Sequence, residues 1–202
     1  MTAGVIGISR HRIAVDGKGV TTLVALHGCP LHCKYCLNPR CHCDESKVKH
    51  LSPKELYDTV KKDQLYFLAT GGGITFGGGE PLLHADFILA FKELCHPDWK
   101  INIETSLYSN CHEVFKLVPV VDHWIVDVKD MNGRIYKAYT GEYIQFMSTN
   151  LLHLRLYNAR ITARVPHIPG FNTPKDVATS ISRLKGHGIE DIEEFNYIIR
   201  QQ

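Results

Sequence analysis

The chain has 202 residues, of which 44% are hydrophobic, so it is long enough to bury a full core and fits one domain better than two. Its net charge is only +2 with the 12 histidines counted as neutral, and charges of both signs alternate along the chain. This balance gives no strong field for nucleic acid or for a membrane surface, so neither is expected as a partner.

The first ten residues contain no continuous apolar stretch and no small-residue cleavage site. We therefore predict neither a signal peptide nor a membrane span, and we expect the protein to be cytoplasmic. Seven cysteines in such a chain favour metal or redox chemistry in a reducing compartment over a disulfide framework. Five of the seven lie between Cys29 and Cys43, whereas Cys95 and Cys111 stand alone and are interpreted as small buried residues.

The predicted elements alternate between short β-rich runs and helices. The runs Val5–Val15 and Val20–Leu26, joined by a glycine-containing turn, predict an N-terminal β-hairpin. Ser52 followed by Pro53 is typical of a helix start, and that helix is predicted to run to about Leu68. The later predicted elements are, in chain order, strand Ile74–Phe76, helix His84–Leu94, strand Ile101–Glu104, a helix from Asn110 to Val118, strand Trp124–Val128, helical material to about Asn158, strand Ile161–Val165, a helix from Thr173 to Lys185 and strand Ile192–Ile198.

Counted from Thr21, this pattern gives six strands with helices between them. Repeated β–α alternation predicts a parallel sheet with right-handed crossovers. Six units are two short of a closed eight-stranded barrel, so the best-fitting α/β fold is a partial (β/α)6 TIM-like barrel, laterally open, with an N-terminal β-hairpin. An open doubly wound sheet is the alternative, because the pattern alone does not separate the two.

Each unusual polar cluster in the chain follows the carboxyl end of a predicted strand. These clusters are the cysteine loop, Gly78-Gly79-Glu80, Glu104-Thr105, Asp127 with Lys129, and Pro166-His167. In α/β barrels this end of the strands carries the active site, so we expect the five clusters to meet there.

One short segment carries Cys29, Cys33 and Cys36. Three thiolates at spacings of four and three residues can ligate three irons of an iron–sulfur cube and leave the fourth iron open. Zinc is the alternative, with Cys41 or Cys43 completing a tetrahedral Cys₄ site. Zinc sites usually pair two short Cys-x-x-Cys hairpins across a longer loop, and the sequence here lacks that arrangement, so the pattern favours the cluster.

The Cys-x3-Cys-x2-Cys spacing, with the aromatic Tyr35 before the third cysteine, resembles the signature of the radical S-adenosylmethionine (SAM) superfamily. The continuation Cys36-Leu37-Asn38-Pro39 is similar to that of the activating enzymes of glycyl radical enzymes, of the pyruvate formate-lyase activating enzyme type. The resemblance extends through residues 71–83, 127–129 and 164–172.

The resemblance implies a single radical SAM core domain over residues 1–202, without the ferredoxin insert of many activases, since Cys41 and Cys43 are too few to build one. It implies a [4Fe–4S] cluster whose open iron binds SAM, and one electron then cleaves SAM to methionine and a 5′-deoxyadenosyl radical. In anaerobic activases this radical removes a glycine Cα hydrogen from a partner glycyl radical enzyme. A flavodoxin or ferredoxin is the implied electron donor.

The resemblance also implies which residues contact the cofactor. Gly78, Gly79 and Glu80 correspond to the Gly-Gly-Glu motif that binds the methionyl amino group, with exposed backbone brought close by the glycines. Glu80 is alternatively a residue that orients this loop from behind. His167 is assigned either to SAM or substrate contact or to a structural role.

Glu104 and Thr105 resemble an Asp-Thr pair of the family, and Asp127 with Lys129 resembles its Asp-x-Lys motif. The resemblance implies that the two acids help to hold a monovalent cation beside SAM and that Lys129 contacts the cofactor. Glu in place of Asp at position 104 adds a methylene group, which puts the cation in question. An ordinary ion pair at the strand end is the alternative for Asp127 and Lys129.

Cys41 and Cys43 are left with three interpretations: bystanders, a redox-active pair, or ligands of an auxiliary metal together with His42 or His32. Longer activases continue past the sixth strand with a segment whose His helps to hold SAM, whereas this chain ends at Gln202. Two other functions stay open, namely a radical SAM enzyme that modifies a small molecule or peptide, and a non-catalytic Fe–S or zinc-binding module.

Overall fold

The chain forms one curved eight-stranded sheet in the computed structural model, which describes residues 1–197. The strands are β1 Ala3–Ile13, β2 Val20–Leu26, β3 Lys49–Leu51, β4 Gly73–Gly78, β5 Lys100–Thr105, β6 His123–Asp127, β7 Ile161–His167 and β8 Ile192–Asn196. Their spatial order is β3-β1-β2-β4-β5-β6-β7-β8, with β2 and β4 to β8 parallel and β1 antiparallel to β2 and β3.

The order of the parallel strands decides between the two predicted folds. The strands from β2 to β8 follow one another in space as they do in the sequence, apart from the short β3 at the opposite edge. A doubly wound sheet reverses its strand order at a switch point, and these parallel strands have no such reversal. The laterally open, partial (β/α)6 TIM-like barrel with its N-terminal hairpin is therefore confirmed.

Seven helices connect the strands within residues 1–197. They are α1 Pro53–Val60, α2 Gln64–Thr70, α3 Ala85–Lys92, α4 Cys111–Leu117, α5 Gly133–Thr140, α6 Gln145–Leu156 and α7 Pro174–Gly186. The predicted starts of α1 and α7 both form capping boxes, in which Ser52 and Glu55, and likewise Thr173 and Asp176, satisfy each other's backbone N–H groups.

One strand is not predicted, and the last strand ends earlier than predicted. No pattern in the sequence indicates β3, whose three residues extend the sheet by pairing with Ala3–Val5. The last strand was predicted as Ile192–Ile198, and β8 ends at Asn196. Ile198 lies outside the described residues.

The helix predicted to run to Leu68 is interrupted by a 3₁₀ turn at Lys61–Asp63. This turn places the fully buried Asp63 against the hairpin, where its carboxylate accepts hydrogen bonds from Arg10 Nε at 2.8 Å and from Thr22 Oγ1 at 3.0 Å. The predicted helix is present on both sides of this turn, as α1 and α2, but the tertiary ion pair overrides the helical pattern at Asp63.

The two faces of the sheet have opposite character. Ile101 and Ile103 of β5 point into the apolar core under the helices, whereas Asn102 and Glu104 alternate to the inner face. The largest side chains of the core are fully buried and include Trp99, Trp124, Tyr136, Phe67, Phe76 and Phe91. The inner face of β5 is therefore polar.

The hairpin turn between β1 and β2 contacts this polar inner face. Asp16 is buried, and its carbonyl oxygen accepts hydrogen bonds from Thr75 Oγ1 at 2.6 Å and Asn102 Nδ2 at 3.3 Å. The Asp16 carboxylate pairs with Arg12, with an Nη2–Oδ1 distance of 2.9 Å. The turn thus closes the amino-terminal end of the barrel with hydrogen-bonded polar groups.

We expect Asp63→Asn to lower the free energy of unfolding by about 2 kcal/mol, because it leaves Arg10 without its buried counter-charge. Burial raises the pKa of Asp63, but the hydrogen bonds and charge of Arg10 outweigh this and hold it below the ordinary value. The contribution of Asp63 is therefore present at neutral pH and is lost as the pH falls through its folded pKa. Urea unfolding followed by circular dichroism measures both effects.

Asp58→Asn is the matched control, since Asp58 is an exposed residue of α1 that pairs with Lys54 and Lys61. Its loss should change the free energy of unfolding far less than Asp63→Asn does, because solvent screens an exposed ion pair. Equal effects of the two substitutions would contradict the proposed importance of the buried pair.

Candidate active site

The cysteine loop follows β2 and is held first by the turn after β4. Gly79 N donates to the carbonyl of Leu26 at 2.9 Å, and Glu80 N donates to the carbonyl of Gly28 at 2.8 Å. These two bonds fix the backbone immediately before Cys29.

The same loop is held at its centre by the C-terminal end of α5. His32 N donates to the Thr140 carbonyl at 2.9 Å, and Lys34 N donates to the Tyr139 carbonyl at 3.1 Å. The last carbonyls of a helix lack partners within the helix, so α5 offers ready acceptors for the loop. The segment that carries Cys33 is thereby attached to a different part of the barrel from the segment that carries Cys29.

Gly78 and Gly79 allow the close contact between the two loops. Gly78 has φ +91°, a left-handed conformation that favours glycine. A Cβ on Gly79 would lie 2.1 Å from the carbonyl oxygen of Gly28. The glycine motif therefore has a structural role of its own, since any side chain at Gly79 would push the cysteine loop away.

Glu80 is buried and accepts hydrogen bonds from the strand end next to it. Its carboxylate oxygens bond Thr105 Oγ1 at 2.6 Å, Ser106 Oγ at 2.6 Å, Ser106 N at 3.0 Å and Leu82 N at 3.2 Å. Burial raises the pKa of Glu80, although these hydrogen bonds oppose the shift. Thr105 is thus a partner of Glu80, and the arrangement matches a glutamate that orients the loop from behind.

Glu104 lies on the inner face, where its Oε1 accepts from Arg164 Nη1 at 2.6 Å. Arg164 also donates to Glu193 at 2.9 Å from Nε and to the carbonyl of Val15. Burial and the negative charge of Asp16 raise the pKa of Glu104 to about 7, although Arg164 opposes the shift. The Glu104 carboxylate is therefore already paired with a cation of the chain.

Asp127 and Lys129 form an ion pair at the end of β6, with Nζ 2.9 Å from Oδ2. Burial lowers the pKa of Lys129, but the negative charges of Asp127 and Cys33 outweigh it and raise that pKa well above its ordinary value. Burial raises the pKa of the Cys33 thiol to about 11, while Lys129 acts in the opposite direction. The ammonium group of Lys129 therefore lies beside the cysteine loop.

Aromatic side chains pack on the same side as Cys33. Tyr35 is half-buried, with its ring centroid 5.7 Å from that of Phe171 and 6.1 Å from that of Tyr139. Cys33 is one of the partly buried residues in this cluster. The tyrosine of the motif thus faces the aromatic cluster that covers one side of the loop.

His167, Cys41 and Cys43 each have surroundings that differ from those of the candidates above. His167 Nε2 bonds Glu194 Oε1 on β8 at 2.6 Å, a contact that matches the structural interpretation. Cys41 is buried, and its thiol hydrogen-bonds those of Cys29 and Cys36, lowering the pKa of each. Cys43 is only half-buried.

A cavity of about 660 Å³ lies between the hairpin and the cysteine loop. Its walls are formed by residues of β1 and β2 on one side and by the loop on the other: Ile6, Gly7, Ile8, Ser9, Leu23, Ala25 and residues 34–40. The volume is within the range of cofactor and small-molecule sites, about 300–1,000 Å³. Cys36 is part of its wall, so the cavity borders the predicted cluster ligands.

Within residues 1–197, no group of three or more His, Cys, Asp or Glu side chains is arranged to hold a single metal ion, which is the arrangement that the zinc and auxiliary-metal interpretations require. No helix in the same range is long and apolar enough to cross a membrane.

The sequence predicts most of these candidate site residues, but it does not predict the side chains with which they form hydrogen bonds and ion pairs. Arg164 lies in the segment 164–172 that carries the resemblance, but no pattern in the sequence indicates that it pairs with Glu104. Ser106 directly follows the Glu104-Thr105 pair, and a hydroxyl there was the available signal for a partner of Glu80. Tyr136 and Tyr139 of α5 carried no signal beyond helical spacing.

The comparisons with known proteins agree with this geometry. The model of the radical SAM superfamily matches residues 23–183, and the chain belongs to this superfamily. Enzymes of this superfamily use a [4Fe–4S] cluster and SAM, so the chain is an enzyme of radical SAM chemistry.

Its curated relatives include activating enzymes of glycyl radical enzymes. The (2S)-3-sulfopropanediol dehydratase activating enzyme of Klebsiella oxytoca is 33% identical over 78% of this chain and 69% of its own length. The pyruvate formate-lyase-activating enzyme of Clostridium pasteurianum is 34% identical over 63% of this chain and 53% of its own length.

A solved structure supports the fold. Streptococcus suis SuiB, in a crystal structure bound to S-adenosylmethionine, aligns with a TM-score of 0.64 at 12% identity. The alignment covers 87% of this chain and 38% of SuiB.

The residues present fit a cluster and SAM. The three cysteines of the signature are free thiols on one loop, which is the donor set that iron–sulfur clusters take. Beside them, the fully buried hydroxyl of Tyr136 has no hydrogen-bond partner among the described residues, and Cys33 and Lys129 are close enough to influence its pKa. A buried donor of this kind is satisfied when a polar ligand is bound next to it.

We expect Gly79→Ala to destabilise the protein by about 1–3 kcal/mol and to lower its iron content after reconstitution, because the new methyl group overlaps the Gly28 carbonyl. Iron assay and urea unfolding measure the two effects. Gly186→Ala is the control, since a Cβ there meets nothing within 4 Å and a helix gains from alanine. Full iron loading of Gly79→Ala would contradict the tight contact.

We expect Glu104→Gln to change how stability depends on pH. The pKa of Glu104 is about 7 in the folded chain against an ordinary 4.5. The contribution of protonated Glu104 to the free energy of unfolding is therefore complete below pH 4.5 and declines as the pH rises to about 7. The substitution should remove this decline in urea unfolding across that range. Glu93→Gln, at an exposed position, should keep the wild-type slope. Parallel curves for Glu104→Gln and wild type would contradict the assignment.

Proposed function

We propose that this chain is the activating enzyme of a glycyl radical enzyme. The observation that carries the proposal is the cavity between the hairpin and Cys36, because it borders the cluster ligands in a sheet that does not close. A loop of a partner protein that carries a glycine can enter such a site from the open side of the sheet. The activases among the curated relatives support the same function.

Cys29, Cys33 and Cys36 hold the cluster in this proposal, with the loop kept in place by α5 and by the turn after β4. When bound, the cluster and SAM supply a 5′-deoxyadenosyl radical that takes a glycine Cα hydrogen from the partner. The aromatic cluster around Tyr35 keeps water from one side of the loop.

Lys129 is proposed to pair with the SAM carboxylate, since its ammonium group is held beside the loop by Asp127. The N–H groups of Gly79 and Glu80 are already used by the cysteine loop, so the carbonyl oxygens of Gly78 and Gly79 are the acceptors offered to the SAM amino group. Glu80 orients this turn through Thr105 rather than contacting SAM.

The two acids that the resemblance assigns to a monovalent cation already pair with basic side chains of this chain. Glu104 pairs with Arg164 and Asp127 pairs with Lys129, so a cation would have to compete with two groups of the chain. We therefore propose that Arg164 and Lys129 neutralise these acids. His167, bound to Glu194, is proposed to support β7 and β8 rather than SAM.

We further propose that residues 1–202 form a single core domain without a ferredoxin insert, located in the cytoplasm, and that a flavodoxin or ferredoxin supplies the electron. The continuous sheet supports one domain. The near-neutral charge of +2 supports the absence of nucleic acid and membrane from the proposed partners.

The test is anaerobic reconstitution with iron and sulfide, reduction, and addition of SAM with a candidate glycyl radical enzyme. We expect 5′-deoxyadenosine and a glycine-centred EPR doublet on the partner. Cys33→Ala should lose both, whereas Cys95→Ala should keep them, because the Cys95 thiol bonds the Phe91 carbonyl in α3, away from the loop. SAM cleavage without the doublet across plausible partners would favour a small-molecule or peptide substrate, and no cleavage would favour a non-catalytic module.

A further inference from the structure

Tyr197 directly follows β8, and its side chain is buried. Its N–H donates to the carbonyl of His167 at 3.0 Å, so its backbone is fixed against the end of β7. Its hydroxyl donates to the carbonyl of Tyr35 in the cysteine loop, 162 positions away in the chain. Tyr197 therefore joins the last strand of the sheet to the loop that carries the predicted cluster ligands.

The two segments that Tyr197 joins come from opposite ends of the row of parallel strands. In that row β2 is the first strand and β8 is the last. The cysteine loop follows β2, whereas Tyr197 follows β8. At the carboxyl end of the open barrel, the first and the last parallel strand are thus connected by a side chain and not by strand pairing.

Packing fixes the direction of the Tyr197 ring. Its centroid lies 6.1 Å from that of Tyr139 and 6.3 Å from that of Tyr35. Tyr139, Ile168 and Tyr197 form a buried cluster, and Cys33 and Tyr35 pack against it. Aromatic pairs with centroids about 4.5–7 Å apart attract each other. The hydroxyl is therefore aimed at the loop by the packing of its own ring as well as by its hydrogen bond.

The hydrogen bond from Tyr197 fixes one end of the peptide group between Tyr35 and Cys36. The other end is fixed as well, because the N–H of Cys36 donates to the carbonyl of Cys33 at 3.2 Å. A peptide group is planar, so a bond at its carbonyl and a bond at its N–H together determine its orientation. This single peptide group links Tyr197 to two of the three predicted cluster ligands.

We propose that Tyr197 is a positioning residue for the cluster: by holding the peptide group before Cys36, it keeps Cys33 and Cys36 in a fixed mutual arrangement. Without the hydroxyl, the Tyr35 carbonyl loses this donor and the peptide group is free to rotate. The reduction potential of an iron–sulfur cluster depends on the hydrogen bonds and the solvent around its sulfurs. Tyr197 therefore affects both the retention and the potential of the cluster through the backbone, without being a ligand itself.

The role proposed for Tyr197 goes beyond the activase function. It requires the [4Fe–4S] cluster that enzymes of the superfamily use, and it requires no particular partner protein. A negative result for Tyr197 would leave the proposed reaction on a partner glycine untouched. Failure to find a glycyl radical partner would equally leave the role of Tyr197 untouched.

Tyr197→Phe is the direct test, because it keeps the ring and removes only the donor. In the full-length, cluster-free chain, we expect hydrogen exchange at the Cys36 amide to become about two- to tenfold faster, as for the loss of one neutral hydrogen bond. Mass spectrometry of peptic peptides that contain Cys36 measures this exchange. Tyr143→Phe is the matched control, since the Tyr143 side chain is exposed and its ring still lies over the Lys137 ammonium group.

Anaerobically reconstituted protein allows two further measurements. We expect Tyr197→Phe to release iron to a chelator about two- to tenfold faster than wild type. We also expect its midpoint potential, from a redox titration followed by EPR, to differ from that of wild type. Tyr143→Phe should match wild type in both measurements. Tyr197→Leu, which also removes the ring, should depart further from wild type.

An unchanged midpoint potential or unchanged exchange at Cys36 in Tyr197→Phe would overturn the proposal. A departure from wild type in Tyr197→Leu alone would overturn it as well, because ring packing and not the hydroxyl would then hold the loop. Equal effects in Tyr143→Phe would show that the hydrogen bond to Tyr35 is not the cause.

Discussion

The backbone of the cysteine loop is held by two elements that lie on different sides of it. Glu80 N bonds the Gly28 carbonyl, and α5 accepts from the amides of His32 and Lys34. Without these bonds the loop would have to order three cysteines at the full entropic cost of a free segment. The site depends on this arrangement, because a cluster needs its thiolates in place at the moment of assembly.

The loop contacts explain why glycine and glutamate occur together after β4. Gly79 lets the turn lie so close to the Gly28 carbonyl that any side chain at this position would overlap it. Glu80 then fixes that turn to the end of β5 through Thr105 and Ser106. The strand ends are consequently connected in series, from β2 to β4 to β5. A change at Thr105 acts on the cysteine loop through Glu80, although Thr105 makes no side-chain hydrogen bond to that loop within residues 1–197.

Periodicity and motif spacing predicted a parallel α/β sheet and the edge of it that carries the site, but only the strand order separates the partial barrel from a doubly wound sheet. Strand alternation predicts that Asn102 and Glu104 share a face, and the parallel order brings the polar strand ends together. Contacts between segments that are far apart in the sequence could not be predicted from this pattern. Arg164 meets Glu104 across 60 positions, and Asp63 meets Arg10 across 53 positions, where it interrupts a helix that local propensity would continue. Such contacts depend on the whole sheet being assembled, so no local window contains them.

The charges and buried donors around the loop also affect how the fold responds to its cofactor. Among residues 1–197 the hydroxyl of Tyr136 has no hydrogen-bond partner, and the ammonium group of Lys129 pairs with Asp127. A ligand that accepts from these donors is bound by the folded chain and not by the unfolded one. The folded state is then stabilised by an amount that grows with ligand concentration relative to its dissociation constant, so cluster and cofactor occupancy stabilise the barrel as well as equip it for chemistry.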